Sequence, residues 1–260
     1  LLAVIIFGGI KRIANFAEYV VPFMAAGYIA MAVIIVIANI HELPGVIKLI
    51  FTDAFTPMAG LGAAIGWGVK RGVYSNEAGQ GTGPHAAAAA EVSHPAQQGF
   101  VQAFSVYIDT LFVCSATAFM ILITGKYNVQ GTLDAGHFIV QNVAAATEIG
   151  SPAFTQMAVS TMFGSFGELF VAVAVFFFAF TTIIAYYYIA ETNITYLSYI
   201  TKMPSLLFIT KCFIMISVAY GVLNASGYIW GIGDIGVGLM AWINIVGIII
   251  TYFLYKPTIK

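Results

Sequence analysis

The sequence predicts an all-α integral membrane protein, a helical bundle packed in lipid, and three observations carry that prediction. Of 260 residues, 10 are Lys or Arg and 11 are Asp or Glu, while 60% are apolar and the mean hydropathy is +0.93. A soluble domain needs roughly a quarter to a third of its surface charged, so this chain must hide its perimeter from water. Second, the apolar residues fall in several charge-free runs of about membrane-spanning length. Third, most of the charges sit at the ends of those runs. A net charge of −1 provides neither a basic patch for nucleic acid nor an acidic tail.

The elements follow in chain order. Residues 1–10 are too short to span, since about 20 helical residues are needed, and are expected to be the tail of a helix. The chain opens on Leu1 inside that apolar stretch, and is therefore expected to be part of a longer protein. Residues 20–38 give the first full span, with Pro22 near its start. Further spans are expected at 100–124, 169–190, 206–223 and 235–255, each bounded by charge or by Gly/Pro punctuation. Residues 54–69 differ: 16 residues reach only about 24 Å as a helix, and they include Pro57, Gly60, Gly62, Gly66 and Gly68. Backbone broken at membrane depth survives only where protein or a watery cavity satisfies it, which points to a transport site, although a glycine-lined packing face is the alternative.

Residues 70–99 form a polar loop in which Thr82-Gly83-Pro84 opens a short helix through His85, five alanines and Glu91, stopped by His94-Pro95. Residues 126–165 form a second long loop. Ser151 as N-cap and Pro152 at N1 start a helix there, expected to be a lid. If the spans alternate sides, Lys11, Arg12, Lys70, Arg71, Lys202, Lys256 and Lys260 share one face and only Lys48 and Lys126 the other, so the first face is expected to be cytoplasmic. The reading is a multi-pass protein of the cell membrane, with loop 70–99 and the C-terminus inside.

The string from Gly68 to Gly99 is the most informative. No GK[ST] follows, so it is not a phosphate-binding loop, and Gly79-x-Gly81 lacks the third glycine of a dinucleotide site. His85 and His94 lie nine apart on different sides of a helix, a poor start for a metal site. Cys114 and Cys212 lack metal-ligand spacing. No cofactor is expected.

Arg71-Gly72-Val73-Tyr74-Ser75-Asn76-Glu77-Ala78-Gly79-Gln80-Gly81, the alanine run, His94-Pro95, Gln98-Gly99, Ile108-Asp109-Thr110 with Cys114, Phe178-Ala179-Phe180-Thr181-Thr182 and Gly238-Leu239-Met240-Ala241 resemble the alanine/glycine:cation symporter family over nearly the whole chain. The resemblance implies a leucine-transporter-like core of two inverted five-helix repeats. This chain would then hold the C-terminal half, from the end of helix 4 through broken helix 6 (54–69) to helix 10, with the N-terminal half missing. It further implies import of a small neutral amino acid, alanine or glycine, with Na⁺ or possibly H⁺. The substrate carboxylate would be held by backbone N–H groups of broken helices, with Gly60 and Gly62 in the substrate site and Arg71, Ser75, Asn76, Glu77 and Gly79 as motif residues. Gly60-Leu61-Gly62 stands where relatives often have adjacent glycines, Tyr186 where Trp is common, and Ala190 where Gly is frequent, which bears on pocket size.

Thr181 and Thr182 lie past the middle of the 169–190 span. Hydroxyls in helices often bond back to the i−4 carbonyl, but a pair together with the carbonyl of Phe178 would present three hard oxygens suited to Na⁺, and the resemblance favours that role. Thr182 and Tyr186, one turn apart, would border the substrate, or Tyr186 would pack in an interfacial belt. Asp109, about ten residues into its span, is expected to make a structural bond or to serve coupling, because an unpaired carboxylate in lipid is costly. The alternatives to a symporter are an intramembrane enzyme built on Asp109 or His85 and a passive channel. An enzyme is not the expectation, since no paired His/Ser or His/Glu constellation falls at mid-membrane.

Overall fold

The computed structural model describes residues 10–55, 65–130, 138–144, 152–223 and 227–255. Within these the chain is almost entirely helical: α1 (Ile10–Ala38), a 3₁₀ turn (Ile40–Glu42), α2 (Leu43–Ala54), α3 (Ile65–Asn76), α4 (Gly83–Ala89), α5 (Pro95–Tyr107), a π turn (Ile108–Cys114), α6 (Ser115–Ile123), α7 (Ala153–Thr201), α8 (Ser205–Leu223) and α9 (Gly227–Tyr255). Five helical segments among the described residues are long and apolar enough to cross a membrane: 15–38, 95–123, 153–201, 205–223 and 229–254. Each overlaps one of the spans expected at 20–38, 100–124, 169–190, 206–223 and 235–255, and the segment 153–201 extends well beyond its own. The chain is a multi-pass membrane protein.

Boundaries follow local chemistry. Pro44 and Pro84 stand in the first turns of α2 and α4, where a missing N–H costs nothing. His94 caps α5, its Nδ1 accepting the Ala96 N–H at 3.1 Å. The helices outrun the apolar runs: α1 starts ten residues before Val20 and includes Lys11 and Arg12, and α3 carries the backbone past Lys70 to Asn76. Hydropathy locates the part of a helix in hydrocarbon, whereas the hydrogen-bond ladder continues until a cap or breaker stops it. Residues 1–9 and most of the expected break, 56–64, lie outside the described residues.

The helices gather into two compact units, Leu1–Ile13 with Val69–Tyr107 and Ile183–Lys260, and Ala14–Gly68 with Ile108–Thr182. In the second, Tyr28, Met31, Ala32 and Ile35 of α1 pack with Val46 of α2, Met120 and Ile123 of α6, and Ala158, Val159, Val171 and Ala174 of α7. The α1 residues recur at three- and four-residue spacing, so one stripe is buried. Tyr28 anchors it: its ring meets Phe178 edge-on at 5.6 Å and its hydroxyl is 2.8 Å from the Thr117 hydroxyl, which keeps the polar tip partnered.

The 126–165 loop holds more than the expected helix. Asn128–Gln130 and Phe138–Gln141 pair as antiparallel strands β1 and β2, and the Asn128 side chain accepts the N–H groups of Asn142 and Val143 at 2.9 and 3.0 Å. The expected helix begins at Ala153, with Ser151 outside the described residues. At Gly164 (φ 54°, ψ −142°) the chain breaks and resumes as the long part of α7. Only glycine adopts that backbone readily, and three residues later a Cβ on Gly167 would lie 2.8 Å from Val159 Cγ1 and 3.0 Å from its carbonyl oxygen. Gly167→Ala should therefore cost about 1 to 3 kcal/mol through overpacking, whereas Gly247→Ala, which meets open space, should not. Thermal midpoints of the two variants of the full-length protein in detergent check this.

Candidate functional site

The motif string folds into a tight polar knot within the first unit. α3 ends at Asn76, and Glu77 turns the chain in the left-handed region at φ 56°, a position that usually falls to glycine. The Val73 carbonyl, freed by the helix end, accepts the Glu77 N–H at 3.0 Å and the Gln80 side-chain amide at 2.7 Å. Asn76 accepts the Ala78 N–H at 2.9 Å. Gly79 and Gly81 both have φ of 82°, and α9 reaches this turn: the Asn244 side chain donates to the Gly79 carbonyl at 2.9 Å. Gly79 and Gly81 are thus explained by backbone handedness, and Gly81 also by contact, since a Cβ there would sit 3.0 Å from Asn244 Oδ1.

A cavity of about 540 Å³ lies against this knot, lined among others by Glu77, Gln102, Ser105, Tyr188 and Asn244. Tyr188 donates its hydroxyl to the His85 carbonyl at 3.2 Å, fixing the start of α4. Tyr186, expected at the substrate, lies within electrostatic reach of the Glu77 carboxylate, so within this unit it neighbours the motif.

A second polar group of the first unit escaped the sequence reading. Asp234, just before the expected 235–255 span, accepts a hydrogen bond from Lys70 Nζ at 2.5 Å and one from the Tyr74 hydroxyl at 2.6 Å. Arg71 lies 5.8 Å over the Trp230 ring, within cation–π range. From Asp234 to Tyr255 α9 rises about 31 Å, a full hydrocarbon thickness. Lys70 accordingly stands apart from the C-terminal end of α9, whereas alternation of the spans groups Lys70 and Arg71 with the C-terminal lysines. A contact between residues 164 apart leaves no periodic signal.

In the second unit, Thr181 Oγ1 donates to the Phe177 and Phe178 carbonyls at 2.9 and 3.1 Å, and Thr182 Oγ1 donates to Phe178 at 2.8 Å. Both hydroxyls therefore bond back to their helix, and the Phe178 carbonyl, expected as a third cation oxygen, already accepts from both. Each hydroxyl oxygen retains acceptor lone pairs, so Thr181 and Thr182 can still offer two hard oxygens. Asp109 lies in the π turn, with Cys114 Sγ 3.8 Å from its Oδ2. There the widened ladder moves the side chain out of α-helical register, as the Ser115 hydroxyl bonding to Thr110 five residues back also shows. Gly60 and Gly62 lie outside the described residues.

Comparison with known proteins bears on this arrangement. A sequence profile of the sodium:alanine symporter family matches residues 1–258. The chain belongs to the sodium:alanine symporter family. It is 56% identical over 263 residues to the carrier protein YrbD of Bacillus subtilis, covering all of this chain and 53% of that protein. It is 52% identical to the sodium/proton-dependent alanine carrier protein of Bacillus sp. (strain PS3), over 97% of this chain and 56% of the other. The sodium/alanine symporter AgcS of Methanococcus maripaludis is 35% identical over 95% of this chain and 51% of its own. The chain spans about half the length of these relatives. In this symporter family chain, Gly81→Ala should lower the thermal midpoint more than Gly79→Ala. Both place a Cβ in the left-handed region at about 1–2 kcal/mol, but only Gly81 also meets Asn244. Equal losses would mean that the Asn244 contact does not constrain the turn.

Proposed function

We propose that the chain is the C-terminal part of a secondary active transporter that imports a small neutral amino acid, alanine or glycine, together with Na⁺. The observation that carries this reading is the match along residues 1–258 to a family named for sodium and alanine, supported by relatives named as sodium/proton-dependent alanine carrier and sodium/alanine symporter. The other half of the transporter, an N-terminal repeat, completes the site. Coupling requires that cation and substrate favour the same conformation of the bundle. Proton coupling is the second reading, because the alanine carrier of strain PS3 is named for both ions. An intramembrane enzyme or a passive channel would not accumulate unmodified alanine in sealed vesicles, and this uptake assay separates all three.

In this reading Thr181 and Thr182 supply hydroxyl oxygens to Na⁺, Gly60 and Gly62 belong to the broken segment that holds the substrate carboxylate, and Tyr186 limits the pocket. Replacing either threonine with Ala removes an oxygen without adding charge. Bonds to charged groups are worth about 1.5 to 3 kcal/mol, so the half-saturating Na⁺ concentration should rise by about one to two decades, while Ser should cost far less. Initial uptake of labelled alanine into proteoliposomes of the full-length protein, with Na⁺ varied at fixed ionic strength, checks this. Na⁺ dependence unchanged in both Ala variants would remove the cation assignment, and uptake driven by a proton gradient without Na⁺ would replace the ion.

The protein is placed in the cell membrane with the loop around Ser93 and the C-terminus in the cytoplasm. Lys11, Arg12, Lys202, Lys256 and Lys260 support this orientation without Lys70 and Arg71, against Lys48 and Lys126. Single cysteines at positions 93 and 128, in the full-length protein without native cysteines, should differ in labelling by an impermeant reagent on intact cells. Position 128 should react, and preferential labelling at 93 would reverse the orientation.

A further inference from the structure

The contacts between α3 and α9 form a seam with two anchors. At one end the two oxygens of Asp234 take Lys70 and Tyr74 separately, at 2.5 and 2.6 Å. Arg71 lies over Trp230, one turn before Asp234, and Gly233 leaves the Tyr74 hydroxyl room, since a Cβ there would stand 3.6 Å from it. Ten residues further along α9, about 15 Å, Asn244 takes the Gly79 carbonyl. Nine residues separate Lys70 from Gly79 on the other side, so α3 with its motif turn runs alongside α9 in the same direction, held at both ends by polar bonds.

Asp234 lies near the start of the 229–254 apolar segment, and moving α3 away from α9 would break the Lys70 ion pair and the Tyr74 hydrogen bond on its two oxygens together. A transport cycle that opened between these helices would have to do this once per turnover. We infer that Asp234 is a positioning residue of transport: through Lys70 and Tyr74 it binds α3 and the motif turn to α9, so that these elements move as one body and the cycle opens elsewhere. α3 continues the broken segment that the proposed function assigns to the substrate, so this inference rests on that reading. It adds a residue and a mechanical unit that neither the motif nor the relatives' names assign.

The test is alanine uptake by the full-length protein in proteoliposomes, normalised to protein amount, together with its thermal midpoint. Asp234→Asn and Lys70→Met each remove the ion pair and should lower the uptake rate more than tenfold, whereas the swap Lys70→Asp with Asp234→Lys restores the pair and should recover it to within about threefold. Tyr74→Phe, which removes one donor and keeps the ring, should fall between. A swap no better than the single variants, although its thermal midpoint matches wild type, would overturn the inference, and so would full activity of Asp234→Asn. Absence of uptake by the wild-type protein would instead sink the transport reading. The single-body claim has its own measurement that needs no activity: spin labels at Val69→Cys and Ile249→Cys, in protein lacking Cys114 and Cys212. Their distance distribution should stay the same with and without Na⁺ plus alanine, and a shifted or second population would overturn it.

Discussion

The structure depends on one constraint: inside hydrocarbon, a polar group has only the protein to bond with. Helices meet it for the backbone, and the described residues are accordingly helical except where the chain stands outside the expected spans or caps a helix. Side chains obey the same rule. Among the described residues thirteen Ser and Thr hydroxyls, from Thr52 to Thr210, return to backbone carbonyls three to five residues back, and the Tyr28 hydroxyl meets that of Thr117. Most polar side chains in such spans are therefore satisfied ones, the buried Tyr187 hydroxyl being an exception, and function must be built on the bonding capacity that remains.

The two units meet this constraint by different means. The second is held by an apolar stripe of Ile, Val, Met and Ala around Tyr28, with Gly164 and Gly167 allowing α7 to turn and lie close to its own beginning. The first draws α3, the motif turn and α9 together through Asp234, Asn244 and backbone carbonyls freed at a helix end. In lipid an apolar side chain gains little by leaving one apolar surroundings for another, so packing and polar bonds carry helix association. Polar bonds are also directional. They fix a helix in register as well as in contact, which suits a segment that must keep its geometry while the bundle rearranges.

The motif is intelligible at this level. Gly79 and Gly81 serve positive φ, the Asn76 and Gln80 side chains replace helical bonds lost at the end of α3, and the glutamate occupies a backbone position that glycine would fill with less strain within electrostatic reach of Tyr186. Holding Glu77 there places a carboxylate beside an aromatic residue of α7.

The sequence by itself determined the class and the approximate layout: scarcity of charge required lipid, runs of about 20 apolar residues set the spans, and the RGxxSNEAG string with its downstream residues identified the family. These features are local or compositional, and local chemistry decides them. Tertiary structure alone decided the partners. Asp234 reads in sequence as a span boundary and becomes the acceptor for Lys70 and Tyr74 only when α3 lies beside α9. Thr181 and Thr182 read in sequence as back-bonded hydroxyls or, as the resemblance favours, as cation ligands, and the structure places both donors on the Phe177 and Phe178 carbonyls while leaving their acceptor lone pairs. The strands at 128–130 and 138–141 and the break at Gly164 lay inside what hydropathy marks only as a loop, because a hairpin and a reversed helix are specified by bonds between distant residues. Hydropathy measures how each residue meets its solvent, and a pairing across the chain is a property of neither residue alone.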